Sequence, residues 1–173
     1  MKKVFSSSVI KNIFVGIFFA LFMLMSFFII YLSTENGATS TKTSNTVGEV
    51  VATVAESVGI EVERDSESYK NFIRKVFGHF GLFFGTSLFG VLTILFLKKD
   101  SEMKKIVIYS FLGYGLILAI ITEIIQTQAG DRSGNFTDVL IDYSGYIIPL
   151  GILLAIIFYT YRRKRKKCKY IEV

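Results

Sequence analysis

The stretch Ile121–Gly145, ITEIIQTQAGDRSGNFTDVLIDYSG, joins the end of one very apolar run to the start of the next through a polar turn. Within it, Glu123, Gln126, Asp138 and Asp142 stand where a membrane helix ordinarily carries leucine or valine. A carboxylate near the centre of a bilayer is costly unless another group pairs with it. Four polar side chains flanking one short turn therefore predict a shared polar pocket, and we take that pocket as the candidate functional site.

The composition around this stretch is typical of an integral membrane protein. Of the 173 residues, 51% are hydrophobic and only one is a proline. Apolar runs of about 20 residues, the length that crosses a hydrocarbon core, recur along the chain. The predicted spans are residues 13–32, 76–97, 106–125 and 139–161. We therefore expect an all-α membrane protein with four transmembrane helices in one domain over residues 1–173.

The positive charge is local and indicates orientation. The net charge is +6, but seven of the twenty Lys and Arg residues lie in the last twelve positions, mostly in the run RRKRKK at Arg162–Lys167. Other basic residues stand at the start of the chain and in KKDSEMKK, Lys98–Lys105. Because basic loops stay in the cytoplasm, we expect both termini on the cytoplasmic side of a bacterial plasma membrane. The tail over residues 162–173 should contact anionic lipids, and no feature points to nucleic acid.

The first apolar run and the only cysteine carry smaller predictions. Ile13–Leu32 follows a basic start, as a signal peptide would, but it exceeds the apolar stretch of about 7–15 residues found in signal peptides. We interpret it as a transmembrane helix. Cys168 lies inside the basic tail, so the chain has no disulfide framework.

Residues 33–75 are expected to form an extracytoplasmic segment. Ser33–Asn45 is rich in Ser, Thr and Asn and predicts a loop. The valines at positions 47, 50, 51, 54 and 58 then recur at helical spacing and predict an amphipathic helix on the membrane interface or on the outer end of the bundle. A β-strand fits less well, because the valines do not recur at every second residue. The acidic residues at 61, 63, 65 and 67 read as solvated turn, since their order does not follow a calcium-binding EF-hand loop. Ser66 should cap the next helix.

Glycines predict where helices approach one another. Gly81 and Gly85 form a GxxxG pattern in the second span, with Gly78 one turn before, and this face should make a close helix contact. Gly145 and Gly151 are expected to be contact points of the fourth helix.

The predicted topology places six polar residues at the outer end of the bundle: His79, Glu123, Gln126, Arg132, Asp138 and Asp142. Glu123 and Gln126 are three residues apart, and Asp138 and Asp142 are four apart, so each pair shares one helix face. Arg132 lies in the turn between the pairs and can bridge carboxylates through its planar fork.

Each of these residues also has a purely structural interpretation. His79 can hydrogen-bond to a neighbouring carbonyl or carboxylate, and Arg132 can form a buried ion pair with Glu123 or Asp138 that fixes the turn. Asp138 can cap the fourth helix. Asp142 is harder to explain in this way, because it lies a full turn inside the apolar run.

Three segments of the chain resemble the VanZ-like family of small bacterial membrane proteins. They are IRKVFGHFGLFFG around His79, TEIIQ at Thr122–Gln126, and DRSGNFTDVLIDYSG at Asp131–Gly145. The resemblance extends from LST at Leu32–Thr34 to about Gly151, with Pro149 as a departure where many members carry another small residue, usually glycine. It implies a four-helix membrane protein, in some settings linked to resistance to the glycopeptide teicoplanin. It implies no settled biochemical activity, and it leaves any cofactor unknown.

Two classes of function remain open from the residues. The first is a non-enzymatic envelope protein whose outer pocket binds a lipid-linked cell-wall intermediate, a glycopeptide antibiotic or a partner membrane protein. The second is a small membrane hydrolase or transferase in which His79, Glu123 and Asp142 hold a metal ion or act as acid and base. No Ser or Cys is obviously paired with His79 as a nucleophile. We favour the first class over the second, and over transport.

Overall fold

The computed structural model describes residues 7–97, 101–129 and 134–169, and within these ranges the chain forms helices and turns with no strand. The helices are α1 (Ser7–Ser33), α2 (Gly37–Ser57), α3 (Glu67–Ile73), a π-helical segment (Arg74–Gly81), α4 (Leu82–Phe96), α5 (Ser101–Gln128) and α6 (Phe136–Lys169). The π-helical segment joins α3 to α4 without a break.

Four helical stretches are long and apolar enough to cross a membrane. They are Val9–Ser33, Glu67–Phe96, Glu102–Gln128 and Phe136–Ile156. The predicted all-α fold with four spans is therefore confirmed. The first three of these stretches are longer than the apolar runs that predicted them, because polar turns at their ends continue the same helical hydrogen bonding.

The basic connection before α5 is shorter than predicted. KKDSEMKK was expected to be a loop, but α5 already begins at Ser101, so Lys104 and Lys105 are helical. Glu102 lies in the first turn, where a negative charge favours helix formation, and its carboxylate pairs with Lys105 Nζ at 2.7 Å. Residues 98–100, the first six residues of the chain and the last four lie outside the described ranges.

The predicted loop Ser33–Asn45 is wrong, because most of it is the first half of α2. Asn36 starts this helix: its side chain accepts a hydrogen bond from the Thr39 N–H at 2.9 Å. The Thr41 hydroxyl then donates to the Gly37 carbonyl at 2.8 Å. A composition rich in Ser and Thr normally favours turns because these side chains compete for backbone groups. Here they bond within the helix instead.

Contacts with α3 and with the turn before it hold α2 in place. The Tyr69 hydroxyl donates to the Gly48 carbonyl at 2.6 Å. Arg64 pairs with both Glu49 and Glu56 across two turns of α2, and its guanidinium holds the pKa of the Glu56 carboxyl below its usual range. These bonds link α2 to the helix that carries the histidine.

Most of the predicted valine face points away from the bundle. Val50, Val54 and Val58 are each more than half exposed, so this face of α2 is free to lie against another apolar surface. As predicted, Ser66 caps α3 by accepting a hydrogen bond from the Tyr69 N–H at 3.2 Å.

The centre of the bundle is an apolar core built around aromatic rings. Helix α1 packs on α4, α4 packs on α6, and α5 packs on α6 and α1. The Phe111 ring stacks on Tyr146 with centroids 4.7 Å apart and lies 5.7 Å from Phe22. Gly115 makes room for this cluster, since an added Cβ would lie 2.2 Å from the Tyr146 ring.

The expected close contact on the GxxxG face is wrong. A Cβ added at Gly85 would meet only the flexible end of Met25 at 3.5 Å, and one at Gly78 would meet nothing within 4 Å. At Gly81 the near neighbour is the Val76 carbonyl of the same π-helical segment, at 2.9 Å. This segment changes the helical period, so the glycines do not line up along one packed face.

In α6, one of the two predicted glycine contacts is present. A Cβ added at Gly145 would lie 2.4 Å from the Phe80 carbonyl oxygen, so only glycine allows this approach of two backbones. Gly151 has nothing within 4 Å and is exposed, so its predicted contact is wrong. The helix continues through Pro149 despite the lost N–H.

Candidate functional site

A cleft opens at the end of the bundle where α1 and α5 finish and α6 begins, with α2 lying over it. Its empty space is about 520 Å³, part of which is open to solvent. The cleft is lined by Ile29, Leu32, Ser33, Glu35, Ser40, Thr43, Ser44, Arg74, Gly78, His79, Leu82, Phe83, Thr122, Gln126 and Asp142. Three of the six residues predicted for the site therefore line one cleft: His79, Gln126 and Asp142.

His79 and Asp142 form a buried pair at the floor of this cleft. His79 Nδ1 lies 3.0 Å from Asp142 Oδ1, and the two residues are 6% and 1% exposed. The close approach of α6 to the π-helical segment makes this contact possible. Gly145, three residues after Asp142, lies against the backbone of Phe80, which follows His79. A larger residue at 145 would push Asp142 away from the histidine.

Glu123 connects the end of α5 to the start of α6. Its Oε2 accepts a hydrogen bond from the Asn135 N–H at 2.9 Å. Gly134 allows the turn to pass close by, since a Cβ there would lie 2.4 Å from Thr127 Cγ2 and 3.4 Å from Glu123 Oε2. The other oxygen, Oε1, is buried and has no hydrogen-bond partner in the described part of the chain. Oε2 of Glu123 thus stabilises the turn, while Oε1 makes no hydrogen bond to any described residue.

Asp138 does not cap α6, so that structural interpretation is wrong. The residue that precedes the helix is Asn135, whose side chain accepts a hydrogen bond from the Thr137 N–H at 3.0 Å. Asp138 lies within the first turn, is 7% exposed, and has one buried oxygen, Oδ1, without a partner among the described residues. Both Asp138 and Glu123 lie close enough to the His79–Asp142 pair to interact with it electrostatically.

The predicted role of Arg132 lies outside the described residues, because the structure does not describe 130–133. Its ion pair with Glu123 or Asp138 therefore stays a prediction. Gln126 is buried and lines the cleft beside Asp142.

Arg74 is a cleft residue that the sequence analysis did not single out. It is exposed and lines the cleft together with His79, five residues further along the chain. On an α-helix, residues five apart point in different directions, whereas the i→i+5 bonding of a π-helix brings them closer together. Arg74 stands in the quoted segment IRKVFGHFG, but no pattern in that segment predicted the change of helical period that brings Arg74 to the cleft.

An apolar groove adjoins the polar cleft, with about 470 Å³ of empty space. Its lining is Phe28, Leu32, Thr43, Ser44, Val47, Ile73, Phe77, Gly78 and Leu82. Five of these residues also line the cleft: Leu32, Thr43, Ser44, Gly78 and Leu82. The two cavities are therefore neighbours with a common wall at the start of the second span.

The cleft lining provides one imidazole, two carboxylates, one guanidinium, one amide and several hydroxyls. The hydroxyls of Ser33 and Thr122 donate to carbonyls of their own helices, Ile29 and Ala119, at 2.9 Å each. Neither hydroxyl is therefore activated by His79. Potential ligand atoms of His79, Glu123 and Asp142 all lie within 4.8 Å of one another, close enough to share a metal ion after a small adjustment.

The fold and the cleft define a small helical membrane protein with a buried His–carboxylate site at one end of its bundle. The chain belongs to the VanZ/LLP1 family, whose sequence model matches residues 17–159. This confirms the resemblance carried by the segments around His79, Glu123 and Asp142. No curated protein and no solved structure matches the chain.

Proposed function

We propose that this VanZ/LLP1 protein binds a lipid-linked molecule of the cell envelope, with its polar headgroup in the cleft and its hydrocarbon chain in the adjoining groove. The observation that carries the proposal is the wall of five residues common to the two cavities. A molecule that fills both must be polar at one end and apolar at the other.

The lining of the two cavities supports such a ligand. The cleft offers a buried carboxylate at Asp142 and an exposed guanidinium at Arg74. An arginine binds carboxylate or phosphate oxygens through two parallel hydrogen bonds. The groove, by contrast, offers mainly aliphatic and aromatic side chains, such as Phe28, Ile73 and Phe77.

We further propose that the cleft faces outward from the bacterial plasma membrane and that both termini are cytoplasmic. The basic residues at the start of the chain, around the beginning of α5 and at the end of α6 support this orientation. An outward cleft would meet cell-wall precursors and glycopeptides, and the family resemblance makes glycopeptide tolerance the phenotype to measure. A partner membrane protein is the other occupant that this surface could accept.

Blocking the common wall tests the proposal. Gly78 lines both cavities, and a Cβ there meets nothing within 4 Å, so Gly78→Leu should fill the junction without a clash. Gly113→Leu is the matched control, since Gly113 is also exposed with open space around it but lines neither cavity. Both proteins would be isolated in lipid nanodiscs, and the retained lipids identified by mass spectrometry.

We expect wild type and Gly113→Leu to retain one class of lipid-linked saccharide or phosphate that Gly78→Leu loses. Glycopeptide tolerance in a sensitive host should follow the same pattern. Identical lipid profiles for the three proteins would contradict the proposal. A tightly associated membrane protein in place of a lipid, lost in Gly78→Leu, would instead identify the partner-binding alternative.

A membrane hydrolase or transferase is the second candidate, and one observation favours it. The His79–Asp142 pair lies beside an unpartnered oxygen of Glu123, an arrangement able to activate water as a general base. If this candidate is correct, the wild-type preparation should release headgroups from the retained lipid over time. Asp142→Asn should stop that release while keeping the lipid bound.

A further inference from the structure

We infer that His79, Glu123 and Asp142 form a binding site for a divalent transition-metal ion such as Zn²⁺ or Mn²⁺. The inference depends on the arrangement of these three side chains and not on the lipid ligand proposed above. Each comes from a different membrane span: His79 from the π-helical segment, Glu123 from α5 and Asp142 from α6. A bound ion would therefore link three helices at one end of the bundle.

The distances fit a metal ion with little movement. The ligand atoms lie within 4.8 Å of one another, and His79 Nδ1 is 3.0 Å from Asp142 Oδ1. Around an ion with bonds near 2.1 Å, neighbouring ligand atoms are roughly 3.0–3.4 Å apart. Glu123 would thus need to approach the other two side chains by up to about 1.4–1.8 Å, which a change of side-chain rotamer can supply.

Unused oxygens provide the second, independent observation. Glu123 Oε1, Asp142 Oδ2 and Asp138 Oδ1 are buried and accept no hydrogen bond from any residue that the structure describes. The three residues are at most 7% exposed. Carboxylates that are buried and charged normally pair with a cation or bind a metal. One free oxygen on each of three carboxylates beside a single imidazole matches that expectation.

The ligand chemistry indicates the class of ion. Imidazole favours Zn, Cu, Fe and Ni, whereas carboxylates also suit Mn, so one imidazole with two or three carboxylates fits Zn²⁺ or Mn²⁺ better than Ca²⁺. Binding would require the coordinating nitrogen of His79 to be unprotonated. Asp142 and His79 line the cleft, so coordination positions not filled by protein would face the cleft.

The first experiment measures metal content directly. Wild-type protein without a histidine tag would be stripped with a chelator, incubated with Zn²⁺ or Mn²⁺ alone, and separated from free ion by gel filtration. We expect about one ion per chain. Glu123→Gln and Asp142→Asn should each weaken binding by at least about tenfold. Glu63→Gln, the same chemical change on an exposed carboxylate of the α2–α3 turn, should bind as wild type does.

A second experiment uses only the wild type, so it remains informative if the variants fail to fold. His79 is the single histidine of the chain, so selective ¹⁵N-histidine labelling gives ring signals from this residue alone. Zn²⁺ should shift one ring nitrogen signal, and Mn²⁺ should broaden it beyond detection.

Either of two results would overturn the inference. One is a histidine spectrum unchanged by millimolar Zn²⁺ and Mn²⁺. The other is metal content that is equal in wild type, Glu123→Gln and Asp142→Asn, because the ion would then be bound elsewhere. Neither readout depends on a lipid, so failure of the metal site and failure of the proposed function are distinguishable.

Discussion

The centre of the bundle and the cleft end use their buried groups in opposite ways. At the centre, Phe22, Phe111 and Tyr146 pack ring against ring, and glycines allow the rings to fit. At the cleft end, His79 and Asp142 are as well buried as the rings, yet carboxylate oxygens beside them lack partners within the described residues. The centre is closely packed with aromatic rings, whereas the cleft end has buried carboxylate oxygens that accept no hydrogen bond from any described residue.

The difference separates stability from function. Helices in a membrane associate through close packing and hydrogen bonds, because lipid tails are as apolar as leucine. The centre supplies such packing. Two neutral hydroxyls there, on Ser87 and Tyr146, also lack a partner among the described residues, but a neutral hydroxyl costs far less to bury than a carboxylate. The unused carboxylate oxygens are therefore the feature that packing does not explain, and they are where binding is expected.

The largest expected effect concerns which end of the helical bundle faces outward from the membrane. In a Cys168→Ser background, which removes the only natural cysteine, Thr41→Cys should react with a membrane-impermeant maleimide on intact cells. Ser101→Cys, at the start of α5 on the opposite end, should react only after lysis. The reason is that the basic residues keep that end in the cytoplasm. The reverse pattern would place the cleft on the cytoplasmic side and remove its access to cell-wall molecules.

The next prediction compares two substitutions in α6, the helix that passes through both the centre of the bundle and the cleft end. Leu150→Ala empties a core position that is 1% exposed, and it should lower the free energy of unfolding by about 2–4 kcal/mol. Lipid retention should persist in the protein that remains folded. Asp142→Asn keeps the volume and an acceptor for His79, so it should cost only about 1 kcal/mol but abolish lipid retention and glycopeptide tolerance.

Thermal unfolding in detergent and lipid mass spectrometry would measure these two outcomes. If Asp142→Asn instead unfolds the protein while Leu150→Ala does not, the pair with His79 is mainly structural. Asp142 could instead neutralise Arg132, and Asp142→Asn would then leave an unpaired buried cation and lower the amount of folded protein. In that case, adding Arg132→Gln should restore the protein level. Normal stability and normal phenotype in Asp142→Asn would contradict both explanations.

The smallest expected effect concerns the close approach of the α6 backbone at Gly145 to the backbone of Phe80, which aligns Asp142 with His79. Gly145→Ala would place a Cβ 2.4 Å from the Phe80 carbonyl oxygen, and overpacking against a backbone costs about 1–3 kcal/mol. Gly151→Ala, six residues later in α6 with open space around it, should be neutral or slightly stabilising because alanine is the better helix former. Equal unfolding midpoints would show that α6 can shift without cost. Metal binding should weaken only in Gly145→Ala.

The sequence alone was sufficient for the class of fold and for the residues near the site. Long apolar runs determine spanning helices, because a backbone in lipid must bond internally. Polar residues inside those runs stand out for the same reason, so His79, Glu123 and Asp142 could be selected without coordinates. The cap at Ser66 was also predictable, since its side chain bonds within a few residues.

Other features required the tertiary structure. The first half of α2 looked like a loop, and its helix became clear only with the Asn36 cap and the Tyr69–Gly48 hydrogen bond. The π-helical segment, which brings Arg74 into the cleft with His79, has no signature in hydrophobic period. The 3.0 Å contact between His79 and Asp142 joins residues 63 positions apart. Composition and spacing decide what one helix can do, whereas contacts between helices depend on how closely their backbones approach, and Gly145 against Phe80 allows that approach.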